Sequence, residues 1–236
     1  MLRWRLALAG VAALVVAAPA LAITGGSPDG DLHPAVGLVL ADEGNGLAPD
    51  CSGSLVSATV VVTAAHCASG LVSDRVAVSF ASQYTAGSPS VAGTIHADPQ
   101  WNASARDTHD VAVVVLDRPS KTAPLSLPAA GYLDAAATKE QPFTNVGYGY
   151  ADRTFTFDGY RRVSTSSFTS LDATTLKLSE NPGGVCFGDS GGPRLVGSTV
   201  VAVTSEGNRN CTGQSTSYRL DSPPARAFLA QYVRLP

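Results

Sequence analysis

Short apolar runs rich in β-branched residues recur between glycine, proline and serine turns along most of the chain, at 35–40, 60–63, 76–80, 111–116, 143–147, 175–178 and 200–204. Runs this short at this spacing predict antiparallel strands of a sandwich or barrel and argue against βαβ units. A helical period emerges only near the C-terminal end. There Ser222-Pro223-Pro224-Ala225 has the make-up of a helix start, and Ala227, Phe228, Ala230, Gln231 and Tyr232 continue it. The stretch 118–131, with Pro119, Pro124 and Pro128, predicts an extended connector between two halves.

The first 22 residues stand outside this pattern. Arg3 and Arg5 precede an apolar run, and Pro19-Ala20-Leu21-Ala22 supplies the small residues that a signal peptidase reads. The run is shorter than the roughly 20 residues of a spanning helix. Residues 1–22 are therefore expected to be a removed signal peptide, and the product to be secreted and free of the membrane. Cleavage after Ala22 would expose Ile23 directly, whereas cleavage after Ala20 would leave Leu21-Ala22 as a two-residue activation peptide. The small residues at Ala20 and Ala22 favour the first.

Composition sets further bounds. Hydrophobic residues make up 44% of the chain against 15% charged, enough for a sizeable core. The formal net charge is −3 and the largest basic cluster is the pair Arg161-Arg162, which excludes a nucleic-acid partner. Four cysteines in an exported chain predict two disulfides, with three possible pairings. The paired C-x-x-C spacing of a zinc site is missing, as is any HExxH cluster, so neither metal nor cofactor is expected.

The chemistry concentrates at Gly188-Asp189-Ser190-Gly191-Gly192-Pro193. A serine among glycines suits a nucleophile on a tight turn, where backbone N–H groups, here those of Gly188 and Ser190, can meet a developing oxyanion. The same residue types also make ordinary surface turns, so a base is needed. The four histidines, His33, His66, His96 and His109, all precede Ser190. That order rejects the α/β-hydrolase elbow, whose histidine follows its serine, and leaves His-Asp-Ser open. His66 ends an apolar run and adjoins Cys67, a setting that would hold its ring rigidly. His33 and His96 need no catalytic role. His109 and Asp110 are neighbours, and strand alternation would turn them to opposite faces. Asp110 is then the orienting acid and His109 a bystander.

Thr63-Ala64-Ala65-His66-Cys67, Asp110-Val111-Ala112-Val113 and the Ser190 block together resemble the trypsin/chymotrypsin-like serine proteases, in that family's order and with similar separations. Ile23-Thr24-Gly25-Gly26, Cys51-Ser52-Gly53-Ser54-Leu55, Val146-Gly147-Tyr148-Gly149 and Ser205-Glu206-Gly207 extend the likeness over nearly everything after residue 22. The resemblance implies an all-β fold of two antiparallel β-barrels, about 23–122 and 123–236, with the active site in the cleft between them and a C-terminal helix. It implies disulfides Cys51–Cys67 and Cys186–Cys211. It also implies a buried pair between the freed ammonium of Ile23 and Asp189, a hydrogen bond from Ser205 to Asp110, and extended substrate pairing along Ser205-Glu206-Gly207.

Gly184 aligns with the floor of the specificity pocket, where trypsin-type enzymes carry an aspartate. With Gly207 as an open wall and Thr216 narrowing the interior, small to medium apolar side chains are expected at the cleaved position. Glu206 departs from the family's usual aromatic residue and would favour basic groups near the entrance. The expected partners are protein or peptide substrates and protein inhibitors, acting on a monomer. The rival readings are a catalytically silent homologue that binds a partner and a secreted esterase.

Overall fold

Val60, Val62, Val111 and Val113 belong to one apolar cluster while Val61, Ala112 and Val114 belong to another, so two neighbouring strands are covered on both faces. That is why their sequences are unbroken apolar runs without the alternation of a half-exposed strand. The molecule, a computed structural model describing residues 23–24, 26–151, 154–180 and 184–236, is organised around this doubly buried pair. The expected signal peptide, 1–22, and Gly25 lie outside the described residues.

After a short β1 (Ser27–Pro28) come β2 (Val36–Ala41), β3 (Ala48–Leu55), β4 (Val60–Thr63), β5 (Arg75–Ser79), β6 (Val91–Ala97) and β7 (Ala112–Leu116). Strands β2 to β7 close into an antiparallel barrel in the order β2-β3-β4-β7-β6-β5. Past the connector and a short helix α1 (Ala136–Lys139) follow β8 (Phe143–Gly147), β9 (Arg162–Leu171), β10 (Thr175–Glu180), β11 (Pro193–Val196), β12 (Thr199–Glu206) and β13 (Gly213–Arg219). These form a second closed barrel, β8-β9-β10-β13-β12-β11 and back to β8. The chain ends in α2 (Pro223–Leu229), and the expected double-barrel all-β fold with a C-terminal helix is the one observed. Ser222 precedes α2 without capping it; its hydroxyl donates to the Arg219 carbonyl.

Between the barrels, Val36, Val62 and Val113 of the first pack with Val146, Leu195, Val200 and Val203 of the second, and α2 covers one end through Ala225, Phe228 and Leu229. The seam is also polar. Arg161 and Arg162 form no basic surface patch, for both side chains are buried and paired. Arg161 donates to Asp29 Oδ2 at 2.8 Å, to the carbonyls of Gly30, Val36 and Phe80, and to the Tyr148 hydroxyl. One guanidinium therefore joins the chain's beginning, the first barrel and the segment after β8. The beginning itself belongs to the second barrel, since β1 pairs antiparallel with β9.

Removing one member of a buried ion pair strands the other's charge and costs about 3–5 kcal/mol. Arg161→Ala is expected to lose that much in urea denaturation. Arg75→Ala, which breaks only the half-exposed pair with Asp117, should leave the midpoint nearly unmoved.

Candidate active site

His66 sits in a 3-10 turn, Ala65–Ala68, directly after the buried end of β4. The disulfide Cys51–Cys67 fastens this turn to β3. Cys51, His66 and Cys67 are close enough to suggest a metal site, but both sulfurs are spent in that bond. The His66 ring presents Nδ1 to Asp110, 2.9 Å from Oδ2 and 3.1 Å from Oδ1, and the His66 backbone N–H donates to Oδ1 at 3.0 Å. The Ser205 hydroxyl donates to Oδ2 from the second barrel. Asp110 is fully buried, and a carboxylate in that setting persists only when hydrogen-bonded. Its three donors provide this.

His109 does turn away from Asp110, but not for the reason read from the sequence. Neither residue is in a strand, because β7 begins at Ala112. His109 instead adopts a left-handed conformation, φ +52°. That backbone sends its ring to Asp98, 3.1 Å from Nδ1, and toward Asp107, 3.5 Å from Nε2. His33 holds Asp29 at 2.5 Å, and His96 stacks on Tyr232 with ring centres 5.5 Å apart.

The Ser190 turn is seated on the first barrel. Ser52 N–H donates to the Ser190 carbonyl at 2.8 Å. The Ser52 hydroxyl donates to Gly188 O at 2.8 Å and accepts from Tyr148 N–H at 2.9 Å. Gly191, at φ +74°, lies so close that a Cβ there would stand 2.0 Å from Thr63 Oγ1 and 2.6 Å from the Ser52 carbonyl. Sequence reasoning quoted Ser52 and Thr63 within matching blocks but assigned them no task; their signal was adjacency to Cys51 and His66. The N–H of Asp189 donates to Cys186 O at 3.0 Å, whereas those of Gly188 and Ser190 donate to no described residue. Ser190 and His66 line one cavity of about 470 Å³, and among the described residues no hydrogen bond joins their side chains.

Asp189 faces inward. Its Oδ1 accepts from Gly149 N–H at 2.8 Å and its Oδ2 from Cys186 N–H at 2.9 Å. Gly147 and Gly149 leave the space, for a Cβ on either would fall 2.2–2.3 Å from its oxygens. Burial pushes the Asp189 carboxyl up to about 6, helped by the charge of Glu180 and opposed by the two N–H donors and Arg194. Ile23, also buried, follows Ala22 in the chain and so carries an amide rather than an ammonium. The next residue, Thr24, bridges to Gly184, whose N–H donates to Thr24 O at 2.9 Å.

Gly184 itself carries no carboxylate, but Glu180 stands beside it. A Cβ on Gly184 would stand 2.6 Å from Glu180 Oε2, so a neighbouring strand delivers a carboxylate to this position. It is not a free charge. Glu180 Oε1 takes Arg194 Nη1 and the Ser215 hydroxyl at 2.6 Å each, and Oε2 takes Val185 N–H at 2.5 Å. Arg194 also donates to Asn145 and Ser217, so side chains from β8, β10, β11 and β13 meet inside the second barrel. Nothing in the sequence around Glu180 signalled this. Gly207 backs onto Val185, with its carbonyl 3.2 Å from a Cβ there. Thr216 pairs with Glu206 and, by alternation with the inward Ser215 and Ser217, points out of the barrel. Cys186 and Cys211 are joined, tying the Ser190 loop to the segment before β13.

Two closed antiparallel barrels, with the ordered sequence blocks gathered at the seam, define a double-barrel all-β architecture. A family model described as Trypsin matches residues 27–221, and the chain belongs to the trypsin family. A protein named Trypsin from Saccharopolyspora erythraea is 30% identical over 177 residues, 66% of this chain and 75% of that one. Among solved structures, a scabies mite inactivated protease paralogue aligns with TM-score 0.75 and 18% identity, over 90% of this chain and 99% of the other. HL collagenase aligns with TM-score 0.73 and 19% identity, over 89% and 98%. At that identity these two speak for the fold alone.

Asp189 binds its proton more tightly folded than unfolded, where the ordinary value is 3.8. Between about pH 4 and pH 6 the folded state therefore holds the extra proton, and stability falls as pH rises through this window. In protein retaining residues 1–22, urea unfolding is expected to show higher stability at pH 4 than at pH 7, and Asp189→Asn, which loses one of the two N–H acceptors at every pH, is expected to flatten that difference.

Proposed function

We propose that this chain is a secreted serine endopeptidase working through His66, Asp110 and Ser190. The observation that carries the reading is Asp110, buried at the seam and clamped by His66 of one barrel and Ser205 of the other, beside a cavity shared with Ser190. Ser190 Oγ attacks the scissile carbonyl while His66 Nε2 takes its proton and then passes it to the leaving amine. Asp110 fixes the Nδ1–H tautomer and stabilises the imidazolium. The unengaged N–H groups of Gly188 and Ser190 receive the oxyanion, where one donor is worth about 3 kcal/mol of barrier. The missing Ser190–His66 bond fits a resting site, since such contacts commonly tighten only on substrate. Water then hydrolyses the acyl-enzyme by the same proton path.

Release of residues 1–22 would give the buried Ile23 an ammonium, and Asp189 has no ion pair with a described residue. The pair would draw the Asp189 carboxyl back down and order the Gly188–Ser190 turn. The acyl part of the substrate lies along Ser205-Glu206-Gly207 by β-strand addition. Its side chain points toward Gly184, Gly207 and Thr216. With Glu180 neutralised by Arg194, that pocket takes small or medium apolar groups. Among the described residues no helix is long and apolar enough to cross a membrane.

A serine-directed phosphonylating reagent should label Ser190 in the mature protein, and peptide-library cleavage should report the side-chain preference. Ser190→Ala and His66→Ala are expected to lower kcat/KM by about 10⁴-fold or more, with His109→Ala staying within about tenfold because its ring serves Asp98 and Asp107. An unlabelled, folded protein would favour a silent binding homologue, and turnover of esters without amides would favour an esterase.

A further inference from the structure

The cleft has a second half that the proposed mechanism leaves unused. On one side of His66 and Ser190 lie Ser205, Glu206 and Gly207, where the acyl part of a substrate is seated. On the other, the cavity of about 470 Å³ runs past Gly188 to Asp50, Glu43, Tyr150, Phe157 and Phe187. The group expelled by acyl transfer must leave into this half.

Its walls combine two kinds of chemistry. Phe187, on the wall, is 55% exposed, and Phe155, which backs it without lining the cavity, is 46% exposed. They pack edge-on at 5.6 Å, and Phe155 packs edge-on with Tyr150 at 5.9 Å. Phe155 is held out by a left-handed backbone, φ +54°. The same cavity is lined by Asp50, half-buried and yet without any side-chain hydrogen bond or ion pair to a described residue. The buried carboxylates elsewhere, those of Asp29, Asp98, Asp110, Glu180, Asp189 and Asp221, all accept hydrogen bonds. Burial, with Glu43 nearby adding to it and His66 opposing, pushes the Asp50 carboxyl up to about 6. A desolvated carboxylate without a partner is a standing cost that an entering cation relieves. Exposed aromatic faces attract the same cations, and the apolar surface between takes the methylene stem that carries them. A neutral apolar side chain would deepen the burial of Asp50 and give it nothing in return. An acidic one would meet two like charges.

We propose that this cavity recognises an arginine or lysine side chain among the first residues on the leaving-group side of the cleaved bond. Asp50 and Glu43 are then the specificity-determining carboxylates, and Phe187 and Tyr150 the wall against which the cation lies. The proposal rests on the endopeptidase reading, because only acyl transfer gives this half of the cleft a leaving group.

Acyl transfer from an ester separates the two claims. A p-nitrophenyl ester of an N-acylated small apolar amino acid acylates Ser190 and releases nitrophenol. Added amino-acid amides then compete with water for the acyl-enzyme, and chromatography reads the ratio of transfer product to hydrolysis. Argininamide and lysinamide should give a ratio about tenfold above leucinamide, with glutamic acid amide lowest. Asp50→Asn should remove most of that preference. Glu43→Gln, on an exposed position that folding does not depend on, should reduce it several-fold. Equal capture of argininamide and leucinamide by protein that does release nitrophenol would overturn the proposal and leave the endopeptidase reading intact. Absence of Ser190-dependent nitrophenol release, with Ser190→Ala giving the same trace, would remove the reading and the proposal together.

Discussion

Everything at the seam depends on how the 188–192 turn of the second barrel sits on Ser52 and Thr63 of the first. The three side chains at the site come from three loops on two barrels, and a misplacement of about 1 Å is enough to cost most of a reaction rate. Ser52 meets this demand with three bonds at once: its N–H to Ser190 O, its hydroxyl to Gly188 O, and its hydroxyl oxygen from Tyr148 N–H. Gly191 contributes by having nothing beyond its backbone, so the turn reaches contact distance with Thr63 Oγ1. Asp110 reports the same registry independently, since its donors are His66 on one side and Ser205 on the other. If the barrels slid, both sets would break together.

The charges inside the molecule divide into two groups. Arg161 with Asp29, Arg194 with Glu180, and Arg219 with Asp221 are buried cations with their counter-ions in place. Such pairs do little for net stability compared with an apolar filling, but any other arrangement would strand a charge, so they help specify one packing. Asp189 and Asp50 form the other group. Neither is ion-paired with a described residue, each is pushed up to about 6 chiefly by burial, and one lies in the Ser190 turn while the other shares a cavity with Ser190. Perturbed groups of this kind gather at functional sites. In the readings proposed above, both cations arrive from elsewhere: one is the ammonium of a newly made chain end, the other belongs to the substrate.

How much of this could be read from the sequence follows from where each strand buries its side chains. The runs at β4 and β7 were legible because both faces are apolar. Strands β9 and β13, with sequences dominated by serine and threonine, were not, because the second barrel is partly filled by polar contacts. Ser215 and Ser217 point inward to Arg194, and Ser166 bonds Asn145. A polar residue serving a buried guanidinium looks in sequence like a residue facing water. The same blindness affected Arg161-Arg162, read only as the largest basic cluster and found buried and paired, and Glu180, whose approach to Gly184 depends on the register of β10 against β13. His66, Asp110 and Ser190 were legible through ordered blocks of neighbours. The separation of His109 from Asp110 was foreseen on strand alternation and is achieved by a left-handed residue, which sequence spacing does not reveal.

The path of the chain's beginning ties these observations to one another. Although it precedes the first barrel, it is attached to the second by independent contacts: Thr24 to Gly184, Ser27 and Pro28 to Val163 and Arg162, and Asp29 to Arg161. All of these partners belong to β9, the residue before it, or the segment preceding the Ser190 turn. A chain end freed at Ile23 would therefore be held one residue from the Thr24–Gly184 bridge by contacts that do not involve the end itself. Much of the entropy of placing that end would already have been met by folding, and Ile23 itself now adopts a left-handed turn, φ +42°. That arrangement favours an ammonium reaching a buried carboxylate over the alternative of a loose tail sampling the surface.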